Sequence, residues 1–464
     1  MRKTLIVLVL FGVCVLPLSA QNTDIESLSG LQFNFGNPGA RSLGMGGAFL
    51  GLADDASAAE ANPAGLTILR KAEVSIEARN YREEQVLTTS GTYPELVRTP
   101  FAHYSDRVEV TFGSFVYPIR DRFTVGGYYH NPLKNEGAGL VVPQRNEFSG
   151  RVDANVPNFF LPRGGPAPVS KEECEAIVRR TNDFFACLEY TINPFLTAVD
   201  VQLRTWGLAA AYKIGNNFSI GVTGRYQLFR ESAFTFRVTP TFDFSSISVQ
   251  GTAKPNRDDL EVDDEKDFTV AAGFKWTPHE KVSIGGVYKQ GPKFVAPTFI
   301  ANENTDFEFA KLADTTFHIP DVAGLGISFR PIPVLTINVD AVHVKYTNLV
   351  DDFVSTLTDV QEIEKPYGVD DVTEIHVGGE YFFATKIPFA IRAGYWRDPA
   401  HSIEYRGPLD KPDAVAAAML YPKGEAQNHF SVGAGLAWPR FQIDFAYDTS
   451  DRYKVGSVSM VTRF

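Results

Sequence analysis

Few residues in this chain are spaced for bond-making chemistry. His376 and Glu380 lie four apart on an alternating segment, a base beside an acid by spacing alone. A hydrolase would need a nucleophile to complete them. The chain has 8 histidines and no Gly-x-Ser-x-Gly motif, so the pair reads as an internal hydrogen bond and no enzyme is expected. Asp258-Asp259, Glu261 and Asp263-Asp264-Glu265 could offer oxygen ligands to calcium. Such a run more often solvates a loop, so no metal and no cofactor is assigned. Cys174 and Cys187 are the cysteines left once the first twenty residues are removed, and an exported chain would join them in a disulfide. Residues 170–188 read as helix, with Ser170 as N-cap and Glu173 three later. One continuous helix would hold the two cysteines roughly 20 Å apart. A disulfide needs about 5.5 Å between Cα atoms. Bonding therefore requires a break, expected at Asn182-Asp183.

Residues 1–20 read as a secretory signal. Arg2 and Lys3 precede the apolar run from Leu5 to Leu16, and Leu18-Ser19-Ala20 ends it with small residues. Removing those two cations takes the net charge from −11 to −13, which disfavours nucleic acid. No later stretch is long and apolar enough for a membrane-crossing helix. Residues 21–71 are rich in Gly, Ala and Asn and show turns at Asn37-Pro38-Gly39 and Asn62-Pro63-Ala64-Gly65. That segment has too little apolar periodicity for its own core and must pack inside something.

From Ala72 the pattern has period two. Phe430, Val432, Ala434, Leu436 and Trp438 alternate with small or polar residues, as do Phe441, Ile443, Phe445 and Tyr447. About fourteen such segments fit between 72 and 464. Short links follow the even segments, at 120–122, 215–216, 277–280, 331–333, 386 and 439–440. Long links follow most odd ones: 86–107, 134–198 (the longest), 234–266, 299–316, 350–372 and 400–428. An antiparallel meander with short turns at one end and long loops at the other is the pattern of an all-β transmembrane barrel. Alternation points Arg225, Lys275, Lys289, Arg330, Arg392 and Arg463 inward with Asp340, His376, Glu380, Asp444 and Asp448, as a network that would hold a plug.

Residues 40–49 (Ala-Arg-Ser-Leu-Gly-Met-Gly-Gly-Ala-Phe), then Ala53-Asp54-Asp55-Ala56-Ser57-Ala58 and Asn62-Pro63-Ala64-Gly65-Leu66, resemble the outer-membrane long-chain fatty-acid and aromatic-hydrocarbon transporter family. Ile319-Pro320-Asp321, the segment 372–381 and the terminal Phe464 are similar to that family too. The resemblance implies a fourteen-stranded barrel whose lumen is plugged by residues 21–71, with Asn62, Pro63 and Ala64 in that hatch. It implies passive uptake of a hydrophobic molecule, a long-chain fatty acid first and an aromatic hydrocarbon second, with lateral exit through a gap in the wall. Relatives that serve secretion systems supply a third reading. Gly126-Gly127 and Asn131-Pro132 are the expected gap, because Gly and Pro weaken ladder pairing. Phe159, Phe160, Phe184, Phe185, Phe195 and Leu196 are candidate pocket linings, and Arg225 and Arg392 candidate partners for a carboxylate. The expected partners are the hydrophobic substrate, outer-membrane lipid and lipopolysaccharide, and the barrel assembly machinery. A monomer is expected.

Overall fold

The computed structural model describes residues 35–87, 101–141, 144–151, 185–192, 195–243, 248–301, 309–351, 367–408 and 423–464. The signal segment, Phe159, Phe160, Cys174 and Phe184 lie outside the described residues, as do the side chains of Phe185, Cys187, Phe195 and Leu196.

A 14-strand antiparallel ring forms the wall. It starts with β1 (Glu73–Leu87), β2 (Phe101–Arg120) and β3 (Phe123–Val141). A hairpin of β4 (Gln144–Arg151) and β5 (Phe185–Ile192) stands outside the ring. The wall resumes with β6 (Phe195–Ile214), β7 (Phe218–Asp243), β8 (Ser248–His279) and β9 (Val282–Lys289). The hairpin of β10 (Lys293–Ala301) and β11 (Phe309–His318) pairs with the outer extension of β8. Then come β12 (Val322–Ile332) and β13 (Leu335–Val344). Two-residue strands β14 (Tyr367–Gly368) and β17 (Glu404–Tyr405) pair with each other beyond the wall. The ring finishes with β15 (Val372–Phe383), β16 (Phe389–Asp398), β18 (Gln427–Ala437), β19 (Phe441–Thr449) and β20 (Tyr453–Arg463). Pairing of β20 with β1, from Glu73–Arg463 to Glu83–Tyr453, closes the circle, so no edge strand remains open at that seam.

Alternation along each strand sorts side chains between two environments. On β7, Ser219, Thr223, Arg225 and Gln227 are buried while Ile220, Val222 and Tyr226 are exposed on the outer face. On β18, His429 and Ser431 are buried while Phe430 and Val432 are exposed. An exposed apolar outer face and a polar inner face suit hydrocarbon outside and hydrogen-bonded groups within.

Four sequence expectations are corrected. Residues 185–188 are strand, not the end of a helix, because they pair with β4, and Cys187 lies opposite Ser149. The long link 234–266 is largely strand: β7 and β8 stay paired out to Asp243–Gln250, so the acidic run at 258–265 sits on β8 rather than in a loop. The single strand expected over 281–298 is two, since β9 ends at Lys289 and Pro292 stands at the break. The 134–198 connection is likewise strand at both ends.

Inside the ring lie residues 35–72. Helix α1 (Ala40–Leu43), helix α2 (Ala58–Ala61) and a 3-10 turn (Pro63–Ile68) are joined by tight turns, two of them at Gly46 and Gly47 with φ of 65° and 79°. Met45, Phe49, Ala53, Ala56, Ala58, Ala59, Ala61 and Leu66 are fully buried. The small side chains fit because this segment uses the barrel wall as its core. On the wall, Gly378 and Gly394 face the hatch, and a Cβ there would overlap the Met45 carbonyl and the Gly46 amide. Only glycine permits so close an approach of two backbones.

Candidate functional site

Three features of the lumen bear on function, and the first two meet in the half nearer the long loops. The first is a parting of the wall. The β2–β3 ladder runs from Arg120–Phe123 to Phe112–His130 and ends there. Both strands continue: β2 stays paired with β1 back to Phe101, and β3 with β6 out to Val141. The β3–β6 register also shifts between His130 and Leu133, at Asn131-Pro132. Pro132 has no N–H to give a neighbour. The Asn131 amide group spends its N–H on Glu109 Oε2 of β2, 3.0 Å away. Gly126 and Gly127 lie in the intact ladder, opposite Val116 and Phe115. Of the four residues expected at a gap, Asn131 and Pro132 stand at the parting, and the glycines do not.

The second feature is a cavity of about 30 Å³ just inside Pro132, lined also by Phe35, Glu60, His130, Leu203, Arg225, Lys289, Ile319 and Val322. That exceeds the roughly 10–15 Å³ a single water needs but will not take an alkyl chain without movement. Apolar groups surround it towards the long loops. Phe229 and Phe294 stack at 4.9 Å, and fully buried Tyr346 stacks on His401 at 4.3 Å, with Leu349, Val369 and Ile403 in the same cluster. Its polar side is an ion cluster on Glu60 of α2. Lys289 Nζ lies 3.0 Å, Arg225 Nη2 3.8 Å and His130 Nδ1 3.8 Å from Glu60 Oε1.

The third feature is the set of bonds that holds the hatch. Asp340 Oδ2 accepts from the amides of Phe49 (2.6 Å) and Leu50 (2.7 Å). Lys275 donates to the carbonyls of Gly51 and Leu52. His376 Nδ1 faces the Gly46 carbonyl at 2.7 Å and Nε2 faces Glu374 at 3.1 Å. Glu77 accepts from the Gly39 amide, Arg79 and Ser457. Asn62 caps its own turn, its Oδ1 accepting from the Ala64 amide at 3.2 Å, and its side-chain N–H group bonds the carbonyls of Leu50 and Phe274. Pro63 opens the 3-10 turn, where its missing N–H costs nothing.

Arg225 and Arg392 have different surroundings. Arg225 reaches the cavity. Arg392 bonds Glu380 (2.7 Å) and Asp444 (2.8 Å), with its side chain 1% exposed, and Glu380 in turn holds Arg41 of the hatch. Two carboxylates already engage Arg392, so it serves the network rather than the cavity. His376 and Glu380 each hold the hatch through a separate contact, and among the described residues no hydrogen bond joins them. Arg330 and Arg463 sit at the short-turn end, beside Thr336 and Glu73. Sequence reasoning missed Glu60, His130, Leu203, Phe294 and Ile319. Inward parity with Arg225 could have picked out Phe229, and Glu60 was visible as an acid inside an otherwise alanine-rich hatch segment.

The fold is shared with solved structures at low identity. The toluene transporter TbuX of Ralstonia pickettii matches at 14% identity and a TM-score of 0.57, over 93% of this chain and 100% of that one. A FadL homologue of Pseudomonas aeruginosa matches at 15% and 0.55, over 90% and 96%. The toluene transporter TodX of P. putida matches at 12% and 0.51, over 93% and 99%. No curated protein matches the chain. The sequence profile of one family matches residues 190–456, more than half of the chain, and with the plugged fourteen-strand ring this makes the chain a member of the outer membrane protein transport protein family, OMPP1/FadL/TodX.

Proposed function

We propose that this barrel carries hydrophobic small molecules, long-chain fatty acids foremost, across the outer membrane by passive diffusion. The molecule is captured among the apolar groups at the long-loop end, where burial is worth about 25 cal/mol per Å². It passes through the Pro132 cavity and leaves sideways between β2 and β3 into hydrocarbon. No energy source is required, because the path runs from one low-polarity environment to another. The observation that carries the reading is the coincidence of the β2–β3 parting with a cavity, part apolar and part charged, on the same residue, Pro132. Arg225 and Lys289 at the cavity favour a carboxylate-bearing substrate over a neutral aromatic one. TbuX and TodX are toluene transporters, and at 12–14% identity they support the fold and not the choice of substrate. The barrel is taken to work as a monomer among lipid and lipopolysaccharide, with the barrel assembly machinery as a further partner.

The test replaces Asn131-Pro132 by Val-Thr, restoring a strand-forming pair with a full set of amides. Uptake of a labelled long-chain fatty acid into proteoliposomes is expected to fall at least tenfold while the heat-modifiable barrel persists. Undiminished uptake by a folded variant would show that the parting is not the exit.

A further inference from the structure

We infer that Glu60 is a built-in competitor for the substrate's carboxylate, so that an acidic substrate unlocks the hatch as it binds. This rests on the uptake reading above and adds the trigger to it.

The argument begins with charge. Glu60 faces Lys289 and Arg225, with His130 alongside, so the cluster holds one more fixed cation than anion when the histidine is neutral. All four side chains are buried and all four line the Pro132 cavity. Buried charge is costly unless it is paired. The pairing here is lopsided. Every cation approaches Glu60 Oε1, while Oε2 is buried and lacks a hydrogen-bond partner among the described residues. Arg225 has no close ion pair: its Nη1 donates to the Gln290 carbonyl at 3.2 Å, its Nη2 stands 3.8 Å from Glu60, the Tyr128 hydroxyl lies beside it, and its Nε is buried without a hydrogen-bond partner among the described residues. One carboxylate entering the cavity would meet that Nε, and it would have to share Lys289 and Arg225 with Glu60.

Such a carboxylate would then stand beside Glu60. Two like charges within a few ångströms repel strongly where water is scarce. Both would also draw on Lys289, the tightest contact Glu60 has. Glu60 is the member that can move, because it sits on the four-residue helix α2 of the hatch, while Arg225, Lys289 and His130 sit on wall strands β7, β9 and β3. Expelling Glu60 carries α2 away from the cavity that abuts the parting. A neutral substrate has no such effect, so the same four residues favour an acid both in binding and in opening the path.

The test uses the full barrel in detergent for binding and in planar bilayers for conductance. The probes are a long-chain fatty acid and the fatty alcohol of the same length. Glu60→Gln is expected to tighten acid binding about tenfold and leave alcohol binding unchanged. In the unaltered barrel the acid, and not the alcohol, is expected to raise ion conductance, and Glu60→Gln is expected to conduct at the raised level without ligand. Lys289→Met is expected to weaken the acid more than tenfold and spare the alcohol. It serves as the second variant should Glu60→Gln fail to give a heat-modifiable barrel. Equal effects on acid and alcohol, or weaker acid binding in Glu60→Gln, would overturn the inference and leave uptake standing. Failure of the unaltered barrel to bind either probe removes the uptake reading, and this inference with it.

Discussion

Asp340 shows how much of the hatch's position rests on single side chains. It is fully buried on β13, and one of its oxygens takes the amides of both Phe49 and Leu50. A carboxylate is suited to this because it accepts only, and its charge shortens and strengthens both bonds. Asp340→Ala leaves two buried N–H groups without an acceptor, a loss of about 3 kcal/mol. The wall strands keep their own ladder on both sides, so the loss falls on the hatch. The expected outcome is a folded, heat-modifiable barrel with raised ion conductance in planar bilayers. Conductance equal to the unaltered barrel would mean that Lys275, His376 and Glu77 suffice to hold the plug.

At the scale of elements, the strands of the wall do more than span. Where β13 and β16 run out towards the long loops, their ends build a small apolar cap. Tyr346 follows β13, and His401 follows β16, with the rings stacked at 4.3 Å and Phe35 of the hatch segment against Tyr346. Burial alone would depress the His401 ring, but the hydrogen bond and charge of Asp398 outweigh it, helped by the Pro399 carbonyl, and its pKa is raised. A raised value in the folded state means that the ring's contribution is complete below the ordinary histidine range and fades as pH climbs through the raised value. Amide exchange at residues 345–350, corrected for the intrinsic rate, should therefore quicken as pH rises above the ordinary histidine range. His401→Phe keeps the stack and should abolish that dependence. A pH profile that is the same in both proteins would place the sensitivity elsewhere.

Taken as a whole molecule, the ring is complete without its plug. Every wall strand has a neighbour on each side, and β20 meets β1 over eleven residue pairs, from Glu73 to Glu83. Over its described residues the hatch contributes side-chain and backbone contacts to that wall but no strand. Deleting residues 35–71 should hence leave a β-rich, heat-modifiable barrel whose lumen is wet and whose conductance is many times higher. Buried groups that now face the hatch, among them Glu77, Asp340, His376 and Arg392, would be hydrated instead of stranded. If the deletion failed to give a closed barrel, the plug would have to be counted as the core on which the wall assembles.

The one-dimensional pattern was enough to say that strands of period two form a membrane barrel. It also said which side of each strand faces inward, as at Arg225, Asp340 and Glu380, and that short and long links fall at opposite ends. Those properties depend on near neighbours in the chain, where side chains alternate and turns need particular residues. It misjudged the outer reach of β7 and β8, because polar residues beyond the membrane carry no alternation to mark a strand, and pairing with a neighbour alone extends them. Asn131-Pro132 could be named as a weak point, yet that the ladder parts from β2 and not from β6 is a matter of which neighbour follows the bend. The cavity was hidden altogether. Glu60 and Lys289 are 229 residues apart, and Asp340 and Leu50 are 290 apart. Parity assigns a residue to the lumen but not to a height or a partner. Those follow only once the ring closes, its register fixes the height of each strand, and the hatch settles against the glycines that let it approach.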